Sequence, residues 1–295
     1  MFKGILNIKK MFEKQKQETG DGGTSLQAGK DIRIVQNIGL QFSEVKEIFH
    51  LLLTENFPKL REIASQTATQ NIENYLAKFE EKFAQNFDRI DIEKIKDPDV
   101  QFSINEVVEA SARKGDKINS DVLSELIIER ISKNSNDFIS IVSSEAIKII
   151  PKLTAEHISF LSLVHYLSSI RHRGLTSLSQ LEQPASLIIE LTKNSFDLSQ
   201  SNKQYLQYTG ALTSLNIVSN DFREIAKNSY EFIKDVTNEE LDKLAEEKAP
   251  SFKKLMDIYN SNQIYQITLT TVGQMIALAN LKRVLGNLDY GIWIK

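Results

Sequence analysis

Apolar residues recur every three or four positions along most of the chain, the spacing of helices that bury one face. Behind Ser43, which can cap them, Val45, Ile48, Phe49 and Leu52 share one such face. Pro58 suits the first turn of a following helix, in which Leu60, Ile63, Ile72, Tyr75, Leu76, Phe79, Phe83, Phe87 and Ile90 keep the helical period. That run corresponds to about 45 Å of helix. Asp97-Pro98-Asp99 and Lys114-Gly115-Asp116-Lys117 mark breaks. Helical patterns resume over 120–133 and 137–153, the second bent or ended at Pro151. Thr154 can cap a helix that is apolar nearly all round, from Ile158 to Ile170, and therefore central to the core. Arg171-His172-Arg173-Gly174 reads as its end, with cations at the carboxyl terminus and glycine as the cap. Further helices are predicted over 184–194, 202–217 and 221–236. Thr237-Asn238-Glu239-Glu240 forms a capping box for another, and Pro250 opens a short one ending near Tyr259.

Two segments depart from the helical period. Ile264-Tyr265-Gln266-Ile267-Thr268-Leu269 is rich in β-branched and aromatic residues, as a strand should be. Thr270 then caps a helix to Leu285, Gly286 ends it, and Tyr290-Gly291-Ile292-Trp293-Ile294 reads as a closing strand. The two strands pair with each other or with a sheet formed elsewhere. Near the other end, Leu26 and Ala28, then Ile32 and Ile34, alternate with polar residues across Ala28-Gly29-Lys30. That is a hairpin pattern. A lone hairpin is marginal in water, so it needs a helical surface or copies of itself. Its glycine-rich hinge and the polar run before it favour copies.

Charge separates the same end from the rest. Residues 1–40 carry seven Lys/Arg against four Asp/Glu, although the whole chain is −3. Five of the 12 glycines fall between Gly20 and Gly39. In the first sixteen residues Phe2, Ile5, Ile8 and Phe12 lie among Lys9, Lys10 and three more lysines. Such a basic amphipathic helix can lie on an anionic membrane, or dock its apolar stripe on the protein or a sister subunit. Lys9 and Lys10 interrupt any signal-peptide core. Ser261 to Leu281 is uncharged, but its glutamines, Asn280 and threonines are costly in hydrocarbon. The chain reads as cytoplasmic, with attachment to the inner membrane face as the alternative. Its acidic balance argues against a global grip on nucleic acid.

Candidate chemistry is sparse. At 295 residues and 41% hydrophobic, the chain can bury a sizeable core without disulfides, and it has no cysteine. Thiol catalysis, Cys-based zinc sites and iron–sulfur clusters are excluded. Gly29-Lys30 lacks the other positions of a phosphate loop: Thr24 stands where glycine is required and Asp31 where Ser or Thr is. His165 and His172 fall seven apart on one predicted helix face without a carboxylate at ligand spacing, so core or capping roles fit better than a metal site. The E-x-K triplets at Glu44, Glu80 and Glu246 sit in helical patterns, whereas that nuclease fragment belongs on a strand. Arg171, His172 and Arg173 can hold an anion, although their place at a helix end already accounts for them. No metal or cofactor is expected.

The two ends together carry a resemblance. Gln17-x-x-Gly20-Asp21-Gly22 with Leu26-Gln27-Ala28-Gly29-x-Asp31-Ile32, and Leu269-Thr270-x-x-Gly273-x-x-Ile276-Ala277 through Ile292-Trp293-Ile294-Lys295, resemble the head and tail of an uncharacterised family of bacterial proteins. Lys30 stands where that pattern has a second glycine. The Leu269-Thr270-x-x-Gly273 element also resembles the end of alpha-type abortive-infection proteins. The resemblance implies no activity or catalytic residue; its link to phage defence is by association.

The expected fold is mainly α: a basic helix at 1–17, a hairpin and oligomerisation module at 18–40, a helical domain at 41–260 and a strand–helix–strand unit at 261–295. The expected function is that of a non-enzymatic, self-assembling helical protein that contacts an unknown protein partner, in antiviral defence. The hairpin at 20–36, through Leu26, Ala28, Ile32 and Ile34, would join copies of the chain. Two alternatives stand beside it: a membrane-acting effector working through residues 1–16, and a nuclease with a dispersed site.

Overall fold

The computed structural model describes residues 42–214, 220–286 and 288–295, with side chains from residue 62 onward except that of Ser214. The hairpin and basic-helix residues Leu26, Ala28, Ile32, Ile34, Phe2, Ile5, Ile8, Phe12, Lys9 and Lys10 lie outside the described residues. The fold is mainly α, with eleven α-helices and one two-stranded antiparallel sheet among the described residues.

The chain divides into two compact units, Met1–Phe57 and Pro58–Lys295. In the first, the described part is the beginning of helix α1 (Phe42–Gln85). Pro58 does not open a new helix, because α1 runs through it. An internal proline removes one backbone hydrogen bond, and the turns on either side remain helical. The sequence signal at Pro58 nevertheless coincides with the boundary between the units.

In the second unit, α2 (Pro98–Lys114) and α3 (Ser120–Arg130) start at the expected breaks. Asp97 caps α2 by accepting from the Asp99 amide, and Gly115 ends it at φ +53°. Asn119 and Asn136 accept amides at the starts of α3 and α4 (Asp137–Ile149). Helix α4 ends before Pro151, in a 3₁₀ turn. Thr154 and His157 form a reciprocal capping box on α5 (Ala155–Ser169). Helices α6 (Glu182–Thr192), α7 (Gln200–Tyr208), α8 (Phe222–Ser229), α9 (Asn238–Lys248) and α10 (Pro250–Ser261) follow. Thr237 and Glu240 close the capping box of α9.

The centre of the core is α5 packed along α11 (Thr271–Leu285). Every residue of α5 from His157 to Leu167 except Ser159 is buried, as are Gly273 and all of Met275–Leu281 in α11. Helices α3, α4 and α6 pack against α11. Asn280 in this interface donates to Ser162 Oγ at 2.9 Å, which satisfies a buried amide.

Other expected elements differ as well. The helix expected over 221–236 ends at Ser229, and a 3₁₀ turn follows at Glu231–Ile233. The helix expected over 202–217 stops at Tyr208, where Gly210 turns the chain at φ +77° into β1 (Leu212–Ser214). Strand β1 pairs with β2 (Ile267–Leu269) in the register Leu212↔Leu269, Thr213↔Thr268, Ser214↔Ile267. Of the expected strand over 264–269, the first half is a 3₁₀ turn that seats Ile264 in the core. The expected closing strand at 290–294 is a 3₁₀ turn capped by Asp289. Strand alternation would put Tyr290, Ile292 and Ile294 on one face. Here Tyr290 and Ile294 are buried while Ile292 is 57% exposed.

Candidate functional site

The C-terminal end of α5 places charge beside apolar surface. Ile170 is buried and extended (φ −95°, ψ 128°), so the helix stops at Ser169. Arg171, His172 and Arg173 therefore lie beyond the helix in an irregular segment, not in a helical turn. Gly174 at φ +75° lies beyond them as a bend, not as the helix cap. His172 is thus off the helix that carries His165, and the two share no helical face.

The C-terminal tail closes one side of this segment. Gly286 ends α11 at φ +78°, and buried Tyr290 and Ile294 anchor the last six residues. Trp293 packs edge-on to the His165 ring at 5.6 Å, and its indole N–H donates to the Ser169 carbonyl at 3.4 Å. Between tail and segment lies a groove of about 710 Å³, walled by Arg171, Arg173, Leu285, Leu288, Ile292 and Trp293. On the other side of the segment a smaller hollow, about 320 Å³, reaches Ser229, Tyr230 and Glu231.

Arg171 is the unusual member. Its Nε donates to Ser229 Oγ at 3.2 Å and its Nη1 to the Ile170 carbonyl at 2.6 Å. Its guanidinium carbon stands 5.8 Å from the Phe222 ring centroid. Among the described residues no carboxylate comes within ion-pairing distance of Arg171 or Arg173. Burial lowers the Arg171 guanidinium from its ordinary range, opposed by the nearby hydroxyls of Tyr230, Tyr259 and Tyr166. His172 shares a 2.9 Å hydrogen bond with the Tyr166 hydroxyl, and burial followed by the Arg171 charge lowers it too.

A second charged cluster is structural. Lys282 of α11 donates to Glu125 and lies 4.0 Å from Glu129, which also takes Arg89 at 3.3 Å. Lys282, Glu125 and Glu129 are all nearly inaccessible. Burial raises the Glu129 carboxyl, opposed by Lys282 and Arg89. Arg130 likewise pairs with Asp99 and donates to the Ser140 carbonyl. A hollow of about 450 Å³ opens beside Lys82, Asp121, Glu125, Lys282 and Arg283. These charges answer one another and hold α1, α3 and α11 together. The sequence signal of Glu125 and Glu129 is two carboxylates four apart that flank the apolar run Leu126-Ile127-Ile128.

The other sequence signals resolve into structure. His157 caps α5 and its Nε2 meets Asn202 Oδ1 at 3.2 Å. No cluster of three potential metal ligands occurs among the described residues, and none of their helices is long and apolar enough to cross a membrane. In the Leu269-Thr270-x-x-Gly273 element, Leu269 pairs with Leu212, and Thr270 Oγ1 donates to the Gly210 carbonyl at 2.5 Å. The same oxygen accepts the Gly273 amide at 3.1 Å and so caps α11. The element is a lock between sheet and helix.

The model of an uncharacterised protein family matches residues 39–247 and 234–294, and the chain belongs to that family. No curated protein and no solved structure matches it.

Proposed function

We propose that this member of the family is a non-enzymatic interaction protein that assembles with copies of itself and presents its helical body to a partner. One observation carries the reading of the body: a partly buried arginine that no carboxylate of the described residues answers, set beside an exposed apolar wall. Guanidinium groups with a desolvated stem and free donors are recurrent anchors of protein interfaces. The buried charges of Glu125, Glu129, Arg130 and Lys282 are ion-paired and hold helices together, which suits a rigid platform. Self-assembly rests on the sequence pattern at 20–36, where Leu26, Ala28, Ile32 and Ile34 would pair across copies. A place in bacterial antiviral defence rests on the resemblance of the two ends.

Concentration-dependent chemical cross-linking tests the assembly. The full chain should cross-link into ladders that Ile32→Asp removes while leaving helicity unchanged. Ladders indifferent to Ile32→Asp and Leu26→Asp would place the contact elsewhere. Flotation with anionic vesicles tests the alternative, a membrane-acting effector: binding lost on Lys9→Glu and Lys10→Glu would favour it.

A further inference from the structure

The groove at the end of α5 combines two features that do not belong together in a chain serving only itself. Arginine cannot shed its proton in a protein, so a partly desolvated guanidinium is normally matched by a carboxylate. Arg171 has five N–H donors, of which Ser229 Oγ and the Ile170 carbonyl take one each. Three N–H bonds remain, enough for a fork onto a carboxylate. Arg173 adds a second charge with no hydrogen-bonded or ion-paired partner among the described residues. Opposite these cations, the wall is apolar, and Ile292 is 57% exposed while its neighbours Tyr290 and Ile294 are buried.

We infer that this groove binds an acidic peptide segment, with a side-chain carboxylate on Arg171 and the adjacent apolar side chain against Ile292 and Trp293. The inference rests on the reading of the chain as an interaction protein and names the chemistry of its partner. Charge decides between sources of the anion. Outside residues 1–40 the chain carries six more acidic than basic residues. A polyanion such as nucleic acid, or an anionic membrane, meets that field across the whole surface, whereas a short segment with one or two carboxylates meets the local pair of arginines. A groove of about 710 Å³ is within the range of ligand-sized sites. The wall opposite the arginines is built of aliphatic side chains and a single indole, which suits leucine-like side chains better than stacked bases.

Trp293 is the sole tryptophan, so its emission reports on this groove alone. The full chain is titrated with an acetylated, amidated pentapeptide alternating leucine and glutamate, and with its leucine–glutamine counterpart. A saturable change in Trp293 emission is expected with the acidic peptide, about tenfold or more weaker with the glutamine form. Arg171→Gln should abolish it with the far-ultraviolet spectrum unchanged. Ile292→Asp, at an exposed position, should weaken it comparably and covers the case in which Arg171→Gln does not fold. Equal responses to the two peptides, no saturable response, or a response to inorganic phosphate or phosphatidylglycerol vesicles in place of the peptide would overturn the inference. Because the readout is local to Trp293, it is independent of whether the chain assembles, and the two failures are distinguishable.

Discussion

Gly273 faces the carbonyl oxygen of Ala211 so closely that a Cβ on Gly273 would stand 1.8 Å from it. The contact joins the first turn of α11 to the entry of β1. Two hydrogen bonds bind the same place, from the Thr270 amide to the Ala211 carbonyl at 3.2 Å and from the Thr270 hydroxyl to the Gly210 carbonyl at 2.5 Å.

Helix propensity and this contact make opposite predictions for Gly273→Ala. Propensity alone favours alanine by about 1 kcal/mol. The overlap with a backbone oxygen cannot be relieved by a rotamer change and forces β1 away from α11. We expect a loss of about 3 kcal/mol, seen as a fall in melting temperature of roughly 6–12 °C. A melting temperature equal to or above that of the native chain would contradict the lock.

Lys282 is expected to be the most sensitive member of the buried charge cluster. Lys282→Met leaves Glu125 and Glu129 buried together with Arg89 as their remaining close cation. Breaking one partner of a buried pair costs about 3–5 kcal/mol. Adding Glu125→Gln to Lys282→Met should recover a large part of that loss. Urea unfolding of the two variants checks this; a midpoint for Lys282→Met within error of the native chain would show that the cluster is dispensable.

His165 gives the fold an acid-sensitive term. Burial depresses its imidazole from 6.5 to about 4, and its Nε2 has no partner among the described residues. As pH falls below 6.5 the unfolded chain takes up this proton while the folded chain does not. Stability contributed by the neutral ring is therefore complete above 6.5 and lost as pH drops towards 4, by roughly 3 kcal/mol in all. Glu129 works in the opposite sense: its raised carboxyl gains its proton first in the folded state, so it adds stability as pH falls towards 4.5. The difference between the native chain and His165→Phe isolates the histidine. The unfolding free energy of the native chain minus that of His165→Phe should fall by about 3 kcal/mol from pH 7 to pH 4; a constant difference would show that His165 does not titrate in this way.

Local signals carried the helical body. Caps such as Thr154, Thr237 and Thr270, and the breaks at Pro98 and Gly115, act over a few residues and are visible in sequence. What was not legible is non-local. Leu212 joins a strand only because Leu269, far along the chain, is there to pair with it. Its segment kept a helical period up to the turn at Gly210. Tyr290-Gly291-Ile292-Trp293-Ile294 has strand composition, but the core takes Tyr290 and Ile294 and leaves Ile292 outside. The cationic segment is only partly legible in the sequence. The spacing of its three residues predicts helix-end cations, whereas buried Ile170 ends the helix first and makes them one wall of a groove. The opposite wall, from Leu285 to Trp293, depends on how the tail folds back, which spacing alone does not reveal.

The chain is proposed to work by binding, beginning with binding to itself. Its molar mass in solution by size-exclusion light scattering is the most direct test. The full chain should elute as a multiple of its 33.6 kDa, and a chain lacking residues 1–40 should elute as a folded monomer. A full-length chain that stays at 33.6 kDa, unchanged by removing residues 1–40, would contradict the claim.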